Sequence, residues 1–316
     1  MSNPRLGSIV RVDPRSVWPN EARNFTPWLA DNLDALAEAL GLELDLESQE
    51  APVGDFALDL LARDLGRDAP VVIENQLEPT DHDHLGKLLT YASGYDASAV
   101  VWISPEFREE HRQTLDWLNQ RTDSDTDFFG VQVELLKVDD SLPAPSLRLV
   151  VMPNEWKKRK GGRGGGPVSP RAEKYRAFFQ DLIDELRERH RFTRARVGQP
   201  QNWYSFASGH SGLNFSASFA QGDRLRVELY IDFGDESENL QLFERLHADK
   251  TEIEEALGGE LSWERLDDSR ACRIGRYRNG SIDDDEETLQ TAHEWMIEQL
   301  LEFKRVFGPR LKRLLS

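Results

Sequence analysis

Residues 71–95 read VVIENQLEPTDHDHLGKLLTYASGY. Three apolar residues lead into Glu74-Asn75-Gln76, a burst of Asp and His follows, and apolar residues then recur at helical spacing. Side chains two apart on a strand share a face, so Glu74 and Gln76 point the same way. A short β-branched apolar run suits a buried strand, and carboxylates are rarely placed beside buried apolar strands without partners. The stretch therefore predicts a strand that carries chemistry, then a helix that begins among the capping residues of DHDH.

The flanking sequence supplies the rest of a layered fold. Upstream, NFTPWLADNLDALAEALG sets Phe25, Trp28, Leu29, Leu33, Leu36 and Leu40 on one helical stripe that Gly41 can stop. LELDLESQE and DFALDLLARD alternate as strands, and Leu65-Gly66-Arg67 reads as the turn into PVVIENQ. Downstream, ASAVVWISP reads as a buried strand, EFREEHRQTLDWLNQRT as an amphipathic helix and FFGVQVELLKVDD as a strand. The order helix, three strands, helix, strand, helix, strand predicts a mixed sheet flanked by helices, with its first strands meandering.

A chain of 316 residues suggests two domains. The boundary falls in NEWKKRKGGRGGGPVSPR, whose glycines and basic run lack apolar anchors. The expected organisation is an N-terminal extension over 1–20, a first domain over 21–152, a linker over 153–170 and a second domain over 171–316. In the second half a helix, RAEKYRAFFQDLIDELRERH, precedes the strand candidates NWYSFAS, LNFSASFAQ, RLRVELYIDF, LSWERLD and ACRIGRYR. One helix over 238–258 interrupts them and another ends the chain. This predicts an α+β domain with an antiparallel sheet, one side of it solvated or facing a partner.

Hydrophobic residues make up 39% of the chain and charged residues 30%, which suits a soluble globular protein. No apolar run approaches the roughly 20 residues that span a bilayer, the start lacks the order of a secretory signal, and the cytoplasm is the expected location. The single Cys272 excludes an internal disulfide framework and a multi-cysteine zinc site. It lies in the alternating stretch SRACRIGRY, as a buried small residue would. A net charge of −18 counts against broad, non-specific DNA binding. It remains compatible with a divalent-metal site, which is itself built from carboxylates.

Asp59 and Glu74 are the candidates for such a site. Asp55, Ala57 and Asp59 share one strand face, as do Val72, Glu74 and Gln76. Pairing through the turn near Gly66 brings Asp59 and Glu74 over one patch of sheet. Two close carboxylates repel unless a cation sits between them or one takes a proton. Mg²⁺ suits two carboxylates, several waters and a substrate phosphate.

Asp59, a spacer across a turn, then Glu74-x-Gln76 resembles the PD-(D/E)xK nuclease motif, and the element order resembles that superfamily's core. KLLTY, residues 87–91, resembles the helix motif of RecB-like nucleases, with lysine where that pattern has glutamine. The resemblance covers about residues 25–138. It implies a restriction-endonuclease-like α/β domain and Mg²⁺- or Mn²⁺-dependent hydrolysis of phosphodiesters, with DNA favoured over RNA and genome defence or DNA processing as the setting. It further implies Asp59 and Glu74 as metal ligands, Gln76 in the lysine position orienting water, and Lys87 restoring the positive charge that Gln76 lacks. Tyr91 shares a helix face with Lys87. Glu38 or Asp34 would add an acid from the first helix. The second half resembles the DUF4268 domain.

Plainer readings stand beside these. Asp59 and Glu74 can be solvated strand acids, and DHDH can be a cap with solvated histidines, although His84 lies one helical turn from Lys87. Lys157, Lys158, Arg159 and Lys160 can touch a nucleic-acid backbone or merely keep a linker soluble. Trp203, Tyr204, Phe206, Phe215 and Phe219 can stack bases or fill a sheet core. The whole chain can be a nuclease-fold binding module without catalysis, or an assembly protein dominated by its second domain. Association into a homodimer stays open.

Overall fold

A computed structural model of the chain describes residues 7–54, 56–122, 126–153, 169–266 and 269–315. It forms two compact units, one from each half of the chain, with Gly41–Asp45 and Leu65–Arg67 grouped with the second.

The first unit is built on a seven-stranded mixed sheet flanked by helices. Its strands are β1 (Ile9–Val12), β2 (Leu44–Val53), β3 (Phe56–Asp64), β4 (Ala69–Asn75), β5 (Ala99–Ser104), β6 (Asp127–Val138) and β7 (Ala144–Val151). They lie in the order β1-β6-β5-β4-β3-β2, with β7 also on β6. β3 and β4 are antiparallel, β4–β5 and β5–β6 are parallel, and β6 takes β1 and β7 antiparallel. Parallel neighbours need crossovers, and α3 (His82–Tyr95) and α4 (Glu109–Arg121) provide them. Leu88 and Tyr91 of α3 and Leu115 of α4 share one core with Val72, Val100 and Trp102 of the sheet. β4 and β5 read as apolar runs because both are buried along nearly their whole length. Asp81 caps α3 by accepting the His84 N–H at 2.8 Å, the role expected of DHDH.

Two strands lie outside the expected series. Ile9–Val12, within the stretch read as an extension, pairs with the end of β6. Ala144–Val151 pairs with β6 through a register shift at Gly130/Val131. The first helix is also more complex than a single stripe. A π-helical turn, Glu21–Phe25, is capped by Asn20 and leads into α1 (Thr26–Asp31) and α2 (Leu33–Leu40).

The second unit contains α5 (Pro170–Glu188), β8 (Trp203–Ala207), β9 (Leu213–Ala220), β10 (Arg224–Ile231), α6 (Glu236–Ala248), α7 (Lys250–Leu257), β11 (Ser262–Arg265), β12 (Cys272–Asn279) and α8 (Glu286–Leu315). Its separate antiparallel sheet runs β11-β12-β10-β9-β8. One face is apolar: Phe206, Phe215, Phe219, Val227 and Ile274 enter a core with residues of α5 and α8. Cys272 belongs to that core, and burial pushes its thiol pKa up. The single helix expected over 238–258 is two, parted at Asp249. Among the described residues no helix is long and apolar enough to cross a membrane.

The packing of α3 against β4 and β5 fixes the position of the residues that follow from it. Leu88→Ala, at a fully buried position, is expected to lower unfolding stability by about 2–5 kcal/mol. Leu142→Ala, 88% exposed, is expected to change it by less than about 0.5 kcal/mol. Chemical denaturation of the two variants checks the contrast.

Candidate active site

The register of β3 and β4 sets Leu61 opposite Val72 and Leu60 opposite Ile73. One step further along, Asp59 meets Glu74. Asp59 Oδ2 accepts the backbone N–H of Asn75 at 2.8 Å and the Asn75 side-chain amide at 2.9 Å. The Asn75 amide is oriented in turn by the Thr26 hydroxyl of α1, which donates to Asn75 Oδ1 at 3.1 Å. Glu74 is only 4% exposed, and its Oε2 is buried with no hydrogen-bond partner.

Burial removes solvation from both carboxylates and favours their protonated forms. The pair is thereby pushed up, Asp59 to about 7 and Glu74 to about 8. For Asp59 the Asn75 N–H pulls the other way, while Glu21 and Glu50 add to the rise. For Glu74 the Asp59 charge is the next cause after burial, opposed by Lys87 and by the Asp59 backbone amide. Two such groups titrate as one system. Near neutral pH this system holds a proton unless another positive charge replaces it.

The structure brings four of the expected residues together: Asp59, Glu74, Lys87 and Tyr91. Lys87 is exposed on α3, and its ammonium favours the ionised forms of both carboxylates. Tyr91, one turn further along the same face, donates its hydroxyl to the Ala57 carbonyl at 3.0 Å. That bond ties α3 to β3 two residues before Asp59. Burial, then Glu74 and Asp59, push the Tyr91 phenol up to about 12, so it keeps its proton.

The Gln76 amide is engaged by protein groups. Its Oε1 accepts the Trp102 indole N–H at 2.8 Å, and its Nε2 donates to the Pro79 carbonyl at 2.9 Å and to Asp81 Oδ2 at 3.3 Å. Gln76 is 1% exposed. It shares the face of Glu74, as the spacing requires, but its amide braces β5 and the turn before α3. Asp81 also pairs with His84 Nδ1 at 2.8 Å. His82 and His111 form a second chain that ends on the Thr80 hydroxyl. His82, His84 and Thr80 belong to the start of α3 and the turn before it, while His111 reaches them from α4.

Among the acids before β2, Glu21 and not Glu38 acts on both carboxylates. Glu38 lies exposed on α2 and is not among the charges that act on the pair. Glu21 raises both carboxylates and is anchored by the Leu77 N–H, which donates to its Oε2 at 2.7 Å. Its signal in the sequence was Asn20-Glu21, a cap followed by a first-turn acid, but the π turn there falls outside a 3.6-residue stripe. Lys157, Lys158, Arg159 and Lys160 lie outside the described residues.

The donor set is made of hard carboxylate oxygens, one of them orphaned in the interior. This fits a hard divalent cation such as Mg²⁺ or Mn²⁺, held by Asp59 and Glu74. Among the described residues no three His, Cys, Asp or Glu side chains group closely enough to hold a metal alone. Any cation here would be completed by water or by a ligand oxygen.

Residues 174–311 match the family described as "Domain of unknown function (DUF4268)". No curated protein matches the chain. A crystal structure of a repair endonuclease from Pyrococcus abyssi is similar over 31% of this chain and 43% of its own, at 16% identity and a TM-score of 0.27. The match thus spans less than half of that protein, and a likeness of this size carries no argument about the site. Residues 174–311 are therefore a DUF4268 domain, and the function of the first unit rests on its own residues.

Proposed function

We propose that the first unit is a divalent-cation-dependent nuclease of the PD-(D/E)xK kind, hydrolysing phosphodiester bonds of nucleic acid, DNA foremost. The observation that carries the proposal is the buried Glu74 Oε2 without a partner, set beside the half-buried carboxylate of Asp59. Asp59 and Glu74 would hold Mg²⁺ or Mn²⁺. A cation bound there polarises a phosphoryl oxygen and lowers the pKa of an attacking water. Lys87, exposed on α3 and acting electrostatically on both carboxylates, would stabilise negative charge that develops on the phosphate. Tyr91 and Asn75 hold the two strands in place. Gln76 serves by bracing the turn that leads into α3. Endonucleolytic cleavage and a role in genome defence or DNA processing extend the same reading.

One observation favours a second reading. With the Gln76 amide committed to Trp102, Pro79 and Asp81, the position that carries lysine in the motif offers the substrate no cation. A unit that binds nucleic acid or protein without cleaving it would share this geometry. Cleavage assays with Mg²⁺ or Mn²⁺ on single- and double-stranded DNA and RNA separate the two readings. The nuclease reading expects Asp59→Ala and Glu74→Ala each to lower cleavage by at least about a hundredfold. Absence of metal-dependent cleavage by the wild type on all four substrates would defeat it. Lys87→Ala is expected to slow cleavage by about ten- to a hundredfold with Lys87→Arg partly restoring it; wild-type rates in Lys87→Ala would remove Lys87 from the mechanism.

The raised pair also predicts a pH dependence of stability. The folded Glu74 keeps its proton to about pH 8, whereas the unfolded chain releases it near 4.5. Between those values the folded state binds more protons than the unfolded state, so stability falls as pH rises and levels off above the folded value. Glu74→Gln is expected to flatten this slope, and Mg²⁺ to stabilise the wild type most at the alkaline end. Thermal unfolding across pH, with and without Mg²⁺, reads both effects.

A further inference from the structure

The polar face of the second unit's sheet carries a cleft of about 620 Å³. This volume lies in the range of small-molecule sites. Arg224, Arg226 and Arg273 line it, together with Tyr277 and Glu264. Strand register explains why they converge. Arg226 stands opposite Tyr277 across β10 and β12, and Arg273 stands opposite Glu264 across β12 and β11. In a chain with a net charge of −18, three arginines on one sheet face are a local reversal of sign.

The arginines are held from behind. Glu228, 4% exposed, lies next to them on the same face. Its Oε2 is 2.9 Å from Arg226 Nε and also contacts Arg273 Nε. Both are close ionic contacts without aligned hydrogen bonds. Glu264 takes Arg273 Nη1 at 3.2 Å and is itself fixed by the Tyr277 and Ser262 hydroxyls at 2.7 and 2.8 Å. The Glu228 contacts engage the inner nitrogens of Arg226 and Arg273. Arg226 has no second acceptor for its outer nitrogens among the described residues, and Arg224 has no carboxylate partner there. Three arginines against two carboxylates leave an excess positive charge. Ser218, paired with Arg226 across β9 and β10, keeps its hydroxyl buried without a partner on the same face.

Guanidinium groups present forked donors that match the oxygens of a phosphate. The Arg224 guanidinium lies 4.6 Å from the centre of the Tyr277 ring, making a flat surface at the cleft. Gln221 and Asn202, whose Nδ2 also donates to the Phe219 carbonyl at 2.7 Å, add amides to the lining. The volume exceeds what a lone phosphate needs, and the amides and the flat surface suit a base.

We propose that this cleft binds a nucleotide through its phosphate, either as a free nucleotide or as one unit of a nucleic-acid strand. Arg224, Arg226 and Arg273 hold the phosphate, while Glu228 and Glu264 keep the guanidinium groups oriented when the cleft is empty. The site is separate from Asp59 and Glu74 and does not depend on cleavage.

Binding of dAMP, deoxyadenosine, inorganic phosphate and a short labelled oligo(dT) to the full chain, in EDTA, tests it without any metal-dependent step. The wild type is expected to bind dAMP or the oligonucleotide and to leave deoxyadenosine unbound. Arg224→Glu, at an exposed position, is expected to weaken binding by about tenfold or more with an unchanged unfolding midpoint. Arg226→Lys, which keeps the charge and loses the fork, is expected to weaken it as well. Binding of dAMP alone identifies a free nucleotide, and competition between dAMP and the oligonucleotide identifies a strand. The proposal is overturned if neither ligand binds, if both variants bind like the wild type, or if inorganic phosphate binds as tightly as dAMP. A protein that binds here but does not cleave would sink the nuclease reading alone; one that cleaves but fails these tests would sink only the cleft.

Discussion

A carboxyl group withdrawn from water has two ways to be stable: it keeps its proton, or it meets a positive charge. Glu74 faces that choice because β4 is buried on both sides up to its end, and Asp59 shares the difficulty from the neighbouring strand. Much of the first unit serves to hold them there. Asn75 holds Asp59 through its backbone and its amide, Thr26 holds Asn75, and Tyr91 fastens β3 to α3. A fold that only needed stability would gain by replacing the pair with apolar residues of similar size. On the function proposed above, a buried and a half-buried acid beside an exposed lysine would receive a cation and an anion.

The surroundings sharpen this. Glu21 adds negative charge from the turn before α1, and Lys87 opposes it from α3. On the proposed reading, this excess of acid over base would favour a divalent ion over a proton once pH passes the range in which the pair titrates. Lys87 itself is exposed to solvent. The second unit treats its own buried acid differently. Glu228 is matched by two arginines of the same sheet face, so it needs no outside cation and instead sets the cationic groups of the cleft.

Much of this was legible in the residues. Period-two alternation located β3, β8, β9, β10 and β12, and apolar runs located β4 and β5, because burial on one or both faces leaves a clear pattern. The same-face rule brought Asp59 to Glu74, and helical spacing brought Lys87 to Tyr91. β1 and β7 were invisible for a physical reason: β1 is four residues long and largely exposed, and β7 opens on Ala-Pro with only its last residue buried. Glu21 was hidden by a π turn that breaks helical periodicity. For Gln76 the sequence gives the side chain's face but not the acceptor that lies there, and only the fold places the Trp102 indole and the Asp81 carboxylate around it. The break at Asp249 is equally local, since the apolar stripe continues across it.

Ionisation of Asp59 and Glu74 decides what the first unit can bind. Carboxyl ¹³C NMR of the folded protein, titrated with pH in the absence and presence of Mg²⁺, observes both groups directly. The account predicts that they titrate well above the ordinary carboxylate range without the cation, Glu74 near 8, and that Mg²⁺ drives both titrations to markedly lower pH. Ordinary titration near pH 4, unchanged by Mg²⁺, would contradict it.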